Sequence, residues 1–193
     1  MGSATTALQN NLRYSIEAKQ SFSSAIPPEF ELAVNTVIAC YKSGGRIYIG
    51  GNGGSAADAQ HLAAEFVSKL AQDRAPLPAE ALTVDSSIVT AIGNDYGFDQ
   101  IFSRQLKGKL QENDVFLGIT TSGKSPNINE ALRVCREMKV PSIVFTGRDG
   151  GDTIELADFV VIAPGERTST IQELHIVLAH TLCECVEQAM FFN

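Results

Sequence analysis

Apolar positions recur at a helical spacing through the first forty-odd residues and then give way to short apolar runs. The helical spacing predicts two helices, at 7–24 and 29–43, which Pro27 and Pro28 separate. From residue 46 onward, strand-like runs alternate with helical patterns. Strands are predicted at 46–50, 79–84, 114–119, 140–146 and 159–163, and helices at 56–70, 88–92, 98–110, 126–138, 152–157 and 170–191.

This alternation predicts the fold class. Strands that alternate with helices pair in parallel, so we expect an α/β fold: a three-layer α-β-α sandwich around a central five-stranded parallel sheet. We expect a single domain over 1–193, with 1–43 as a helical arm used in packing and oligomerisation. Two helix starts are also indicated: Ser125 as the N-cap before Pro126, and a capping box of Thr170 and Glu173.

Composition narrows the function classes. The chain has 193 residues, 44% of them hydrophobic, enough for one domain with a sizeable core. Its net charge of −7, without a basic block, disfavours a nucleic-acid partner. No apolar run approaches the roughly 18 residues of a membrane span, and the polar N-terminus does not resemble a signal peptide. We therefore expect a cytoplasmic protein without a membrane partner, whose cysteines are reduced thiols: Cys40, Cys135, Cys183 and Cys185.

Two loops follow predicted strands, at the sheet edge where α/β proteins bind ligands. The loop at 50–55 is glycine-rich and leads into a helix, although the acidic residue of a dinucleotide site is misplaced, which disfavours nicotinamide binding. The loop at 120–125 carries four hydroxyls, on Thr120, Thr121, Ser122 and Ser125, before a Pro-initiated helix. Hydroxyls and a helix N-terminus together indicate a phosphate site. Neither loop carries a nucleotide-hydrolysing P-loop motif.

The histidines suggest a second centre. His61 and Glu65 are four residues apart on one predicted helix, so both can reach one metal ion. The alternative is a surface His–Glu pair. Gln172 and His180 lie eight residues apart on the last helix, about 12 Å along its axis, so one straight helix cannot easily bring both to one ion. His175 points away from His180 and is interpreted as structural.

Several motifs in order resemble one known family. They are Gly51-Asn52-Gly53-Gly54-Ser55, His61-x3-Glu65, Gly93-Asn94-Asp95-Tyr96-Gly97-Phe98, Phe102-Ser103-Arg104-Gln105, Thr121-Ser122-Gly123-Lys124-Ser125 and Ile171-Gln172-Glu173-Leu174-His175. Together they are similar to the phosphoheptose (sedoheptulose 7-phosphate) isomerases of the sugar-isomerase (SIS) fold, a flavodoxin-like sandwich. The resemblance covers about 44–186.

The resemblance implies an activity, a cofactor and an assembly. It implies the interconversion of D-sedoheptulose 7-phosphate and D-glycero-D-manno-heptose 7-phosphate, the first step toward lipopolysaccharide heptose, by a cytoplasmic homotetramer with interface active sites. It implies zinc on His61, Glu65, Gln172 and His180. Substrate contacts are implied at Asn52, Gly53, Gly54, Ser55, Glu65, Asn94, Asp95, Thr120, Thr121, Ser122, Ser125 and Gln172.

Within that family the reaction runs through an enediol, which needs a carbon base and a second acid/base. We assign these roles to Glu65 and His180. The chain departs from the family pattern at Lys69 and Thr170, where Arg is usual, and at Thr120, where Ser is usual. The alternative function is a non-catalytic SIS adaptor tetramer that binds the replication initiator protein; such adaptors lack the catalytic Glu, which is present here.

Overall fold

The computed structural model describes residues 3–192 and contains one five-stranded parallel sheet, in the order β2-β1-β3-β4-β5. Its strands are β1 (Ile47–Gly51), β2 (Ala79–Ala81), β3 (Val115–Ile119), β4 (Ser142–Gly147) and β5 (Phe159–Ala163). The helices are α1 (Ala4–Ser24), α2 (Pro28–Lys42), α3 (Gly54–Val67), α4 (Ser86–Tyr96), α5 (Ser103–Lys109), α6 (Pro126–Met138), α7 (Thr153–Leu156) and α8 (Thr168–Glu187), with a 3-10 turn at Phe98–Gln100 and a π-helical end at Gln188–Phe192.

The sheet separates two hydrophobic cores, because successive strand residues point to opposite faces. Ile47 and Ile49 face one core, which α2, α3 and α8 cover, whereas Tyr48 faces the other, which α5 and α6 cover. The expected three-layer α/β sandwich is therefore confirmed. Strand order reverses direction between β1 and β3, so the loops after these two strands flank a crevice at the carboxyl edge, where such sheets bind ligands.

Several predicted boundaries are wrong: α3 ends three residues before position 70, and α4 extends beyond 88–92 at both ends. Strand β2 stops at Ala81, where the chain turns at residues 82–83 and leads to α4, which Asp85 caps by accepting a hydrogen bond from the Ile88 amide (2.9 Å). The helix predicted at 98–110 is divided into the 3-10 turn and α5. The capping box at Thr170 is absent: α8 begins at Thr168, and the Glu173 carboxylate instead accepts a hydrogen bond from Ser15 of α1.

Helix α1 joins the sandwich through the N-terminal half of α8. Arg167 donates to the side-chain oxygen of Asn11 (2.7 Å). The face of α1 next to this contact exposes Leu8, Leu12 and Ile16 by 60%, 54% and 54%. Use of this arm in oligomerisation stays a prediction.

The described residues contain no helix with both the length and the apolarity needed to span a membrane. All four cysteines are free; Cys185 is half-buried and the other three are buried.

His175 is fully buried beneath β4, where its Nε2 lies 2.9 Å from the carbonyl oxygen of Thr146. Burial lowers its pKa from 6.5 to about 4, because desolvation penalises the charged imidazolium. The structural interpretation of His175 is confirmed by this placement.

A pH-dependence of stability follows. Between pH 6.5 and pH 4 the unfolded chain binds a proton at His175 that the folded chain does not, so the free energy of unfolding falls as pH falls, by about 3 kcal/mol in total. We expect His175→Gln to lose this part of the slope in urea unfolding measured from pH 7.5 to 4 at fixed protein concentration. Identical slopes in the two proteins would contradict the prediction.

Candidate active site

Three side chains from two helices form one cluster of potential metal ligands. The Nε2 atoms of His61 and His180 lie 2.9 Å apart, and His61 Nε2 lies 3.5 Å from Glu65 Oε1. One donor atom from each residue falls within 4.8 Å of the others. The Glu65 side chain is only 18% exposed, against 48% for His61, so the carboxylate is enclosed rather than part of a solvated surface pair.

The cluster exists because α3 and α8 run side by side in the same direction. Near their starts, Gln172 lies against Gly54: a Cβ on that glycine would lie 3.0 Å from the Gln172 Cδ and would collide with its amide nitrogen. Seven residues after Gly54 and eight after Gln172, His61 meets His180. The Gly54–Gln172 contact and the His61–His180 contact are therefore about 10–12 Å apart along the helix axes.

Gln172 therefore does not join the cluster within one chain. The structure brings together His61, Glu65 and His180 and leaves Gln172 two turns away, as expected for a straight α8. The three clustered donors, two imidazole nitrogens and one carboxylate oxygen, are ligand types that zinc prefers, and their mutual distances fit a shared ion.

A cavity of about 320 Å³ opens beside Gln172, at the carboxyl edge of the sheet between β1 and β3. Three helices begin at its wall: α3 at Gly54, α6 at Pro126 and α8 at Thr168. Helix N-termini carry partial positive charge and attract anions. The lining residues are Asn52, Gly53, Gly54, Ser55, Ile119, Thr120, Thr121, Ser125, Thr168 and Gln172.

The hydroxyl loop supplies polar groups to this cavity. Ser125 stands at the N-cap position of α6 without a capping hydrogen bond, because its hydroxyl instead lies 3.0 Å from Thr120 Oγ1. The Ser122 hydroxyl accepts from the Lys124 amide (3.2 Å), and Ser122 is not among the lining residues. Sequence reasoning missed Thr168, although the hydroxyl-rich run at 168–170 was a signal, because the incorrect capping box at Thr170 placed the helix start after it.

A pair of side-chain amides joins the glycine loop to the first turn of α6, which directly follows the hydroxyl loop. Asn52 Nδ2 donates to Asn127 Oδ1 (2.9 Å), and Asn127 Nδ2 donates back to Asn52 Oδ1 (2.8 Å). Asn127 is 1% exposed, so water has little access to compete for either hydrogen bond. The spacing between the glycine loop and the hydroxyl loop is therefore held by a buried contact.

Asn94 and Asp95 lie elsewhere in the chain. They belong to α4, where Asn94 Nδ2 donates to Asp95 Oδ1 (2.7 Å), and they are not among the cavity's lining residues. Helix α4 has no buried residue. Within one chain, the structure does not bring these two predicted substrate contacts to the cavity or the cluster.

Comparisons with known proteins show which family the chain resembles over most of its length. The SIS domain family matches residues 13–147. A phosphoheptose isomerase of Aneurinibacillus thermoaerophilus is 49% identical over 84% of this chain and 82% of its own length, and one of Clostridium acetobutylicum is 44% identical over 95% of each.

Solved structures are also similar. A phosphoheptose isomerase from Neisseria gonorrhoeae superposes with a TM-score of 0.91 at 40% identity, covering 96% of this chain and 100% of that one. One from Francisella tularensis gives a TM-score of 0.93 at 34% identity, covering 97% and 100%.

Proposed function

The chain belongs to the phosphoheptose isomerases of the SIS-domain family, and we propose that it interconverts D-sedoheptulose 7-phosphate and D-glycero-D-manno-heptose 7-phosphate. The observation that carries the assignment is the enclosed Glu65 carboxylate, held beside His61 and His180. Aldose–ketose isomerisation needs a carbon base and a group that exchanges oxygen-bound protons, and this cluster supplies both. In this role the enzyme serves the first step toward lipopolysaccharide heptose.

The reaction moves protons and leaves the carbon skeleton intact. In the ketose-to-aldose direction, Glu65 takes a proton from C1, the C–H electrons form the C1–C2 double bond, and the C2 oxygen gains a proton. The enediol then loses the proton of its C1 oxygen and gains one at C2, which yields the aldehyde. His180 is suited to the oxygen-bound protons, because an imidazole both donates and accepts near neutral pH.

The cavity at the three helix N-termini is proposed to hold the substrate phosphate. Its hydroxyls and helix ends complement a phosphate without an arginine. Binding of the phosphate orients the distant reacting carbons, so this contact contributes to rate as well as to affinity.

Zinc is the proposed cofactor, held by His61, Glu65 and His180. Bound there, it would polarise the substrate carbonyl. The resemblance adds Gln172 as a ligand, and since this residue lies beside the cavity of its own chain, we propose that it comes from a partner subunit. Each active site then combines the cavity and Gln172 of one protomer with the cluster of another, in a cytoplasmic homotetramer.

Incubation of the purified protein with sedoheptulose 7-phosphate tests the assignment. We expect the aldose phosphate to form, detected by chromatography or by coupling to a heptose-phosphate kinase. The adaptor alternative predicts no conversion and a stable complex with the replication initiator protein. It is disfavoured because Glu65, whose loss marks such adaptors, is present.

Loss of the loop hydroxyls should weaken substrate binding. We expect Thr120→Val combined with Ser125→Ala to raise KM at least about tenfold, because both hydroxyls line the cavity and each hydrogen bond to a charged group contributes roughly 1.5–3 kcal/mol. Ser24→Ala is the matched control, because the exposed Ser24 hydroxyl donates to the Ser21 carbonyl and lies outside the cavity. An unchanged KM in the double variant would move the phosphate elsewhere.

A further inference from the structure

We infer that the buried Arg74–Glu187 ion pair is a positioning device for Glu65, an inference that rests on the proposed function. Neither residue belongs to the cluster or lines the cavity. Their side chains are 1% and 3% exposed, with a closest approach of 2.8 Å.

The need for such a device comes from the place of Glu65 on its helix. Helix α3 ends at Val67, so Glu65 stands in the last turn. The last carbonyls of an α-helix have no partner within the helix, and terminal turns open more readily than helix centres. A carbon base that must stay within a fraction of an ångström of its proton is poorly served by such a turn.

Arg74 supplies partners for two of these carbonyls, and the Leu77 amide also donates to the Phe66 carbonyl (3.0 Å). The Arg74 guanidinium donates to the Glu65 carbonyl from Nη2 (2.8 Å) and to the Phe66 carbonyl from Nη1 (2.6 Å). The same Nη1 also lies within reach of the Ser68 carbonyl (3.3 Å) and the Ala75 carbonyl (3.1 Å). A single guanidinium group therefore binds the end of α3 through backbone carbonyls, one of which belongs to Glu65 itself.

Glu187 ties this assembly to the helix that carries His180. Its Oε1 accepts from Arg74 Nε (2.8 Å) and from the Leu70 amide (3.0 Å). Glu187 lies in the last turn of α8, seven residues after His180. The pair therefore links the end of α3 to α8 and fixes the separation between the two residues that exchange protons with the substrate.

Stability alone does not account for the arrangement. A buried ion pair carries a desolvation penalty that well-packed apolar side chains would avoid. An apolar pair, however, could not donate to the Glu65 and Phe66 carbonyls. Lysine at position 74 would keep the charge but lacks the planar guanidinium group, whose several N–H donors reach several acceptors at once.

The test compares wild type with Arg74→Lys, and with Lys109→Gln as a matched control. The control breaks the partly buried Lys109–Glu80 pair, which joins α5 to β2 and makes no hydrogen bond to the described residues of α3 or α8. Activity is referred to folded protein, measured by circular dichroism at the assay temperature. For Arg74→Lys we expect kcat to fall at least about tenfold with KM for sedoheptulose 7-phosphate within about twofold of wild type.

Two further measurements separate positioning from loss of folded sites. We expect a larger primary deuterium isotope effect on kcat with substrate deuterated at C1, because a displaced base slows the proton transfer itself, whereas fewer intact sites would leave it unchanged. Titration of metal-free protein with Zn²⁺ should show at least about tenfold weaker binding in Arg74→Lys, since Glu65 and His180 are no longer held at a fixed separation. If Arg74→Lys does not fold, Glu187→Gln takes its place.

The outcomes distinguish this inference from the proposed function. If wild type isomerises and Arg74→Lys keeps its kcat, or loses kcat with an unchanged isotope effect, the positioning role is wrong and the proposed function stands. If wild type binds Zn²⁺ but does not convert the heptose phosphate, the proposed function fails. In that case the comparison of Zn²⁺ affinity between wild type and Arg74→Lys alone tests whether Arg74 positions Glu65.

Discussion

Glu65→Gln is expected to lower kcat by about a thousandfold or more while the protein stays folded and oligomeric. The substitution keeps the size of the side chain but removes the lone-pair basicity that accepts the substrate proton, and general-base catalysis contributes about 10²–10⁴-fold. The side chain is largely enclosed, so bulk water does not easily replace it. The variant is measured by aldose formation, with circular dichroism and gel filtration to establish its fold and assembly.

Glu130→Gln is the matched control for this prediction. That carboxylate lies on α6 and pairs only with Arg133 one turn further along its exposed face. It should retain wild-type turnover. Near-wild-type kcat in Glu65→Gln would exclude Glu65 as the base and leave the cluster with a metal-binding or structural role.

The second large effect is expected on mixing two inactive variants. Glu65→Gln removes the base from the cluster, and Gln172→Ala removes the residue that a partner subunit is proposed to contribute. If subunits exchange, a 1:1 mixture should regain about a quarter of wild-type activity. Half of the clusters are intact, and half of those meet an intact Gln172 across a two-fold interface.

The control mixture pairs Glu65→Gln with His180→Gln. Because His61, Glu65 and His180 cluster within one chain, every site in that mixture lacks one of the two catalytic groups, so we expect no recovery. The choice of variants for the two mixtures depends on the structure, because sequence spacing alone did not show whether Gln172 or His180 lies beside His61 and Glu65 of the same chain. Equal recovery in both mixtures, or full activity in a monomer, would contradict the shared site.

Local patterns predicted the elements that local geometry controls. Helix α6 begins at Pro126 and ends at Met138, and β5 spans Phe159–Ala163, both as expected from apolar spacing and a proline at the first helical position. The beginning of α8 was misplaced because Thr170 and Glu173 satisfy the capping-box pattern, while Glu173 in fact binds Ser15 of α1. A contact between residues 158 positions apart outweighed the local preference.

The same distinction applies to the candidate site. By itself the sequence determined the His61–Glu65 pair, because four residues on a helix always stand one turn apart, and the hydroxyl loop, because a strand followed by a Pro-initiated helix ends at the ligand-binding edge. Only the tertiary structure decided that His180, rather than Gln172, joins His61 and Glu65 within one chain, that Thr168 joins the cavity and that Arg74 contacts the end of α3. These groups come from distant segments, and their meeting depends on which helices the strand order makes neighbours, a non-local property that no spacing along the chain encodes.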